Sequence, residues 1–246
     1  MAEERRPAED AVISLGRAVL TQVDFRRARF ARFDLGGCTF LACDFRGLRL
    51  DQRFQPLFAT TPRSVFRGCR FDGADLRRMR AEGSRFERCS FDDAQLDGWR
   101  PVLAEFVDCR FAGTLTRVTF AGRPPAADRK TLDPPRQRNE FRGNDFRDAE
   151  LVDTVFVHGI DLAAQRWPAS DRYVHLDRFS RRLARARAEI AQWDDAGERA
   201  AARAMCDALT QRWREQDEVI ALRVSPVATA SARVQIRVWE ALLRAV

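Results

Sequence analysis

Histidine and tyrosine are almost missing from this chain, whose 246 residues hold two His and one Tyr against 43 Lys+Arg and 36 Asp+Glu. His158 and His175 stand in no recognisable spacing to an acid or a nucleophile, so a triad or a histidine metal centre has little to be built from. No Walker loop, GxGxxG, GxSxG or HExxH run occurs in the sequence, which removes the chemistries those motifs serve. The acids are too numerous and too regularly placed for one pair to stand out as general acid and base. The sequence reads as a non-enzyme, with no catalytic residue, no cofactor and no metal site.

Long apolar runs are lacking as well. The first ten residues, MAEERRPAED, carry four acids and no apolar stretch follows them, which argues against a secretory signal or a membrane span. The six cysteines include no CxxC pair and no neighbouring histidine, so buried thiols are expected rather than metal ligands or disulfides. These features point to the cytoplasm.

What is present is a period of five. Phe25, Phe30, Leu35, Phe40, Phe45 and Leu50 follow one another at that interval, which neither a helix (3.6) nor a strand (2) produces. Two positions before each lies a small or apolar residue: Val23, Ala28, Phe33, Cys38, Cys43, Leu48. Two inward positions flanking one outward position make a short strand, and restarting every five residues demands a turn. Two places after the central residue fall Gly37, Gly47, Gly68, Gly73, Gly83, Gly98, Gly113, Gly122 and Gly143, nine of the 13 glycines, as corners with positive φ require. The phase resumes at Phe66 and runs to Phe156, so that 14 of the 18 phenylalanines are central.

The Phe, Phe, Leu order that starts at Phe66 returns at Phe86 and Phe106, and Cys69, Cys89 and Cys109 are likewise 20 apart. Four sides per coil follow, with about seven coils, although residues 25–50 alone also allow a three-sided coil of 15. One internal column of Phe25, Phe45, Phe66, Phe86 and Phe106 is expected, as is a ladder of cysteines about 4.8 Å apart.

GADL at 73–76, with DAQL at 93–96 and DAEL at 148–151, resembles the A(D/N)LxX consensus of the pentapeptide-repeat family. The resemblance extends over residues 11–162 and implies a mainly β fold, a right-handed quadrilateral (four-sided) β-helix solenoid. Interruptions are expected at about 51–63 and 121–138, the second Pro-rich and basic, and both read as loops. After Leu162 the spacing turns helical, giving an α-helical C-terminal module over 163–246. A first helix is expected through Leu176, Phe179, Leu183, Ala186, Ile190 and Trp193, capped by Ser170 or Asp171. A second is expected over about 196–222 and a third over 231–246. These helices would cap the open end of the coil or pair two copies as a homodimer.

On the outside, Arg26, Arg29, Arg46, Arg49, Arg67 and Arg70 belong to an arginine ridge, with an acidic ridge of Asp72, Asp75, Asp92 and Asp93 beside it, and mutual neutralisation is the default. Together with Arg123, Arg129, Lys130, Arg136 and Arg138 of the second interruption, these arginines form the candidate interaction surface. The leading function is a scaffold or protein-interaction role with an unidentified protein partner. The family resemblance supplies an alternative, because some members protect DNA gyrase from quinolones by resembling duplex DNA. A net charge of +7 departs from that plan. A third reading is weak nucleic-acid binding through the arginine ridge. Specific recognition of nucleic acid is not expected, since the phenylalanines belong to the core and leave no stacking platform for bases.

Overall fold

The structure, a computed structural model, describes residues 11–49 and 62–245 apart from positions 27, 29, 78, 80 and 82. The first interruption, save its last two residues, and Arg29 thus lie outside the described residues.

Short parallel strands stack level upon level. On one side Val19–Thr21, Thr39–Leu41, Val65–Arg67, Arg85–Glu87, Glu105–Val107 and Phe141–Arg142 pair in succession. Phe66, Phe86 and Phe106 are direct partners. The next side is a run of bridges joining Asp24, Asp44, Arg70, Ser90, Arg110, Asp145 and Arg166, which makes seven levels. A third side pairs Arg49 with Asp75 and Asp75 with Gln95, and higher up Leu115 with Leu151. A fourth pairs Thr119–Ala121 with Val155–Val157. Pairings therefore fall into four successive columns, and a 20-residue repeat already holds in the opening segment, where Leu20 pairs with Phe40.

One expected column is corrected. Phe45 stacks on Phe25 and on Phe71, at 4.6 and 4.9 Å between ring centroids, whereas Phe66 stacks on Phe40 at 4.7 Å. Phe25 and Phe45 therefore belong to the second side, and Phe66, Phe86 and Phe106 to the first. The level that contains the first interruption spans 26 residues, from Phe40 to Phe66; counting sides across that break mispaired them.

The strand spacing of about 4.8 Å suits the flat face of a phenyl ring. Phe66, Phe86 and Phe106 stack at 5.0 and 5.1 Å, and the two phenylalanine columns meet edge to face at about 5.7 Å, the arrangement that the ring quadrupole favours. Beside the rings, each cysteine donates to a carbonyl of the level before it: Cys69 to Phe40, Cys89 to Phe66, Cys109 to Phe86, at 3.3 to 3.5 Å. Asn144 and Gln165 continue this ladder, giving their amide N–H to the Phe106 and Phe141 carbonyls at 3.0 Å. Burial pushes the Cys89 thiol well above the usual range, so it is a weak donor inside a core and not a nucleophile.

At the corners, Gly113 and Gly143 adopt φ of +78° and +66°, and a Cβ on either would collide with the side chain of Asp93 or Asp108 on the level before. Corners without glycine keep the same conformation: Ala42, Arg88, Asp93, Asp108 and Asp153 all have φ between 51° and 54°. Each such residue costs on the order of 1 kcal/mol, offset by the next level, since Ala42 N–H reaches the Arg67 carbonyl and Arg88 N–H the Val107 carbonyl, both at 2.9 Å.

The C-terminal residues differ in part from the helical expectation. Tyr173–Leu176 is a strand, antiparallel to Val219–Leu222, so the first helix, α1, covers only Phe179–Ile190 and has Arg178 as its N-cap, not Ser170 or Asp171. The second, α2, covers Ala196–Arg212, with the Asp195 carboxylate accepting from Glu198 N–H; the β-branched Val219–Ile220 stretch pairs as strand instead of prolonging it. The third, α3, covers Ala232–Arg244 and is capped by Ser231. Their apolar faces pack on one another and on Val155 and Val157, which project outward from the fourth side.

What covers the last level is the strand pair and the segment before it. Tyr173, Ile220 and Leu222 complete the phenylalanine core. Unpaired backbone N–H groups there find side chains: Leu151 donates to Tyr173 Oη at 3.0 Å, Gly159 and Ile160 donate to Gln216 Oε1 at 2.8 and 3.1 Å, and Leu162 donates to Glu218 Oε2 at 3.0 Å. An exposed edge that would otherwise template another chain is thereby satisfied.

Phe86 is fully buried between Phe66 and Phe106, and Phe86→Ala is expected to cost about 3 to 5 kcal/mol in chemical denaturation, with an unchanged midpoint contradicting the stack. Gln216→Ala, which strips partners from two N–H groups and the Ile160 carbonyl, is expected to cost about 2 kcal/mol and to speed hydrogen exchange at Gly159 and Ile160.

Candidate interaction surface

The outward residues of the second side alternate in sign, and a local clamp recurs along it. In Asp24-Phe25-Arg26, Asp44-Phe45-Arg46 and Asp145-Phe146-Arg147 the central ring points in, so the flanking acid and arginine share the outer face. Each carboxylate accepts the backbone N–H of the arginine two residues on, at 3.0 to 3.1 Å. It also accepts the guanidinium, at 2.6 to 2.7 Å. Asp75 and Arg77 repeat the clamp on the third side. The Arg46 hydrogen bond holds the Asp44 carboxyl below the usual carboxylate range, and Arg147 does the same to Asp145.

Arginine and acidic ridges are therefore not separate strips. Arg70 pairs with Asp72 at 3.3 Å, Arg110 with Asp92 and Asp148 at 3.0 Å, and Arg67 with Glu87 at 2.6 Å. Of the arginines placed on the ridge, Arg26, Arg46, Arg67 and Arg70 are all engaged with acids, the mutual neutralisation expected, and each half-exposed pair contributes little to stability. Arg49 is exposed and has no side-chain partner among the described residues.

On the first side the charges go deeper. Glu105 is 5% exposed and accepts from Arg63, from Arg85 at 3.4 Å and from the Glu140 N–H at 3.1 Å. Glu87, held by hydrogen bonds from Arg67 and Arg85, has its carboxyl lowered to about 2. Glu105 precedes the inward Phe106 on its strand, and Arg63, Arg85 and, from the second interruption, Arg136 at 3.9 Å surround its carboxylate.

That interruption is anchored at its base. Arg136 reaches the Leu103 carbonyl and, at 3.1 Å, Asn139 Oδ1, with only 9% of its side chain exposed. Asn139 donates to the Val102 and Ala121 carbonyls at 2.8 and 2.9 Å. Arg129 caps the Pro124 carbonyl at 3.0 Å, and Arg123 touches the His158 carbonyl at 3.2 Å and Glu215 at 3.5 Å. Arg123, Arg129 and Arg136 thus shape the loop, while Lys130 and Arg138 are exposed without a described partner.

Glu87 supplies a pH test. Its lowered pKa means stability that is present above the unfolded value near 4.5 and lost as pH falls toward 2. At pH 6 Glu87→Gln is expected to cost on the order of 1 to 2 kcal/mol, after discounting for the half-exposed Arg67. The gap to the unaltered chain should close as the solution is acidified to about pH 2, and a gap independent of pH would contradict the pairing.

Residues 64–98 match the family "Pentapeptide repeats", in 8 copies. No curated protein matches the chain. Among solved structures, the chain is similar to QnrB1, a plasmid-mediated fluoroquinolone resistance protein. A trypsin-treated variant of it is 13% identical over 61% of this chain and 78% of that one, with a TM-score of 0.29. Full-length QnrB1 is 15% identical over 63% and 81%, with a TM-score of 0.16. A second trypsin-treated variant is 16% identical over 61% and 77%, also at 0.16. Repeat phase, inward partner slot and positive-φ corner agree with the family match, so the chain carries pentapeptide repeats, with a helical C-terminal extension after them.

Proposed function

We propose that this chain is a non-enzymatic, cytoplasmic protein-interaction scaffold. In this reading residues 11–162 close into a right-handed quadrilateral β-helix, and residues 163–246 form a separate module that seals its end. The observation that carries the reading is the second interruption: its base is fixed by buried Arg136 and Asn139, while Lys130 and Arg138 face solvent unpaired. A loop held rigidly at its base loses little entropy on binding, and binding residues concentrate on such loops. The free charges on it are of both signs, Lys130 and Arg138 beside Asp128 and the exposed Asp133, so the partner would present a polar protein surface of mixed charge.

The outer charges of the repeat region neutralise one another within the clamps, which suits neither an imitation of duplex DNA nor a continuous phosphate-binding track. A test is capture of partners from the native host by the intact protein and by a Lys130→Glu/Arg138→Glu variant. The variant should melt as the unaltered chain does and lose the captured protein. An identical captured set would remove the loop from the interaction. Dose-dependent protection of gyrase supercoiling from a quinolone by the purified protein would make the topoisomerase reading the better one, and sequence-specific DNA binding that survives high salt would favour the nucleic-acid reading.

A further inference from the structure

Two cavities flank the junction between the last level and α2, and they share two residues, Asp153 and Arg212. One is an apolar chamber of about 280 Å³, walled by Leu151, Met205, Leu209, Trp213, Leu222 and Trp239. Its polar lining has partners within the chain: the Thr154 hydroxyl donates to the Leu115 carbonyl at 2.7 Å, and the Gln235 amide accepts from Ser225 N–H and donates to the Ala230 carbonyl, both at 2.8 Å. Nothing on these walls asks for a polar guest.

The second cavity is a cleft of about 510 Å³ of the opposite character. Arg100, Arg117, Arg212 and Arg214 line it against a single carboxylate, Asp153. Arg212 is already paired with Asp153, and Arg117 with Asp97 at 2.8 Å. Arg100 and Arg214 are exposed and have no side-chain partner among the described residues. Its floor is apolar, made by Val155 and Val157. Guanidinium groups above a low-dielectric floor favour an anion, and phosphate or carboxylate match their fork of donors.

We infer that this junction binds an anionic amphiphile: a single alkyl chain in the apolar chamber, with a carboxylate or phosphate head in the arginine cleft. The shared Arg212–Asp153 pair marks where tail and head part. Neither cavity alone identifies this ligand class. An uncharged hydrocarbon would leave the cleft unused, and a bare anion would leave the chamber empty; a molecule bearing both uses each site for what its lining offers. The same chemistry occurs in a free fatty acid or alkyl phosphate and in a bilayer lipid, and a concave chamber between α2, α3 and the strand pair, which has no flat apolar face to lie on a bilayer, favours the free molecule.

The test is titration of the full chain with dodecanoate and dodecyl phosphate below their micelle concentrations, read by calorimetry and by the fluorescence of Trp213 and Trp239. Saturable 1:1 binding is expected, at least tenfold tighter than dodecanol or inorganic phosphate. Arg100→Ser/Arg214→Ser should weaken it at least tenfold while Arg181→Ser, at an exposed position of α1 that lines neither cavity, leaves it unchanged. Ala208→Phe, placed at an exposed lining position where folding is not at risk, should abolish it by filling the chamber. Far-UV circular dichroism confirms the fold of each variant. Equal affinity for dodecanol, binding that survives Ala208→Phe, binding only to phosphatidylglycerol vesicles, or no binding would each overturn the inference.

Discussion

Backbone pairing between successive levels sets a spacing of about 4.8 Å, and every other feature of the repeat region answers to it. A phenyl ring is one of the few side chains that fill an interior column at that spacing with face-to-face contact, and so Phe40, Phe66, Phe86 and Phe106 repeat where a sandwich core would mix shapes. A thiol in the neighbouring slot is small enough to sit beside the rings and still reach the carbonyl of the level before it. Asn144 and Gln165 replace thiols where the stack approaches its end, supplying stronger donors for the same acceptors.

The same spacing governs charge. Like charges stacked at about 4.8 Å along an outer column would repel at every level, and the chain offsets this by pairing acids with arginines, either two residues away, as in Asp44 and Arg46, or on the neighbouring level, as in Glu87 and Arg67. The surface is densely ionic yet largely self-paired, and among the cations without a described side-chain partner Lys130 and Arg138 share the anchored loop, and Arg100 and Arg214 the cleft beside α2. A long-range field from the whole stack matters less than these isolated groups.

A stack of levels has an end, and the end has unpaired N–H groups. The C-terminal residues answer that need directly, with Tyr173, Gln216 and Glu218 each accepting from the last level, while the helices behind them cover Val155 and Val157. The cavities at this junction exist because a strand pair and three helices of ordinary geometry are set against a square-sided stack, leaving a chamber where the two shapes do not match.

The sequence by itself determined the repeat. A period of five, small residues two positions before each large one and glycines two positions after suffice to identify inward slots and corners, because each of these is a local steric requirement repeated many times. Only the tertiary structure decided which phenylalanines share a column, since the extra residues between Phe40 and Phe66 break the count and the break is resolved by which strands pair. It also decided that Glu105 is buried, that Val219–Leu222 is strand rather than helix, and that Arg100 and Arg214 face one cleft. Those outcomes depend on contacts between residues distant in the chain, where the arginines around Glu105, the partner strand Tyr173–Leu176 and the packing of α2 against the fourth side override the local pattern.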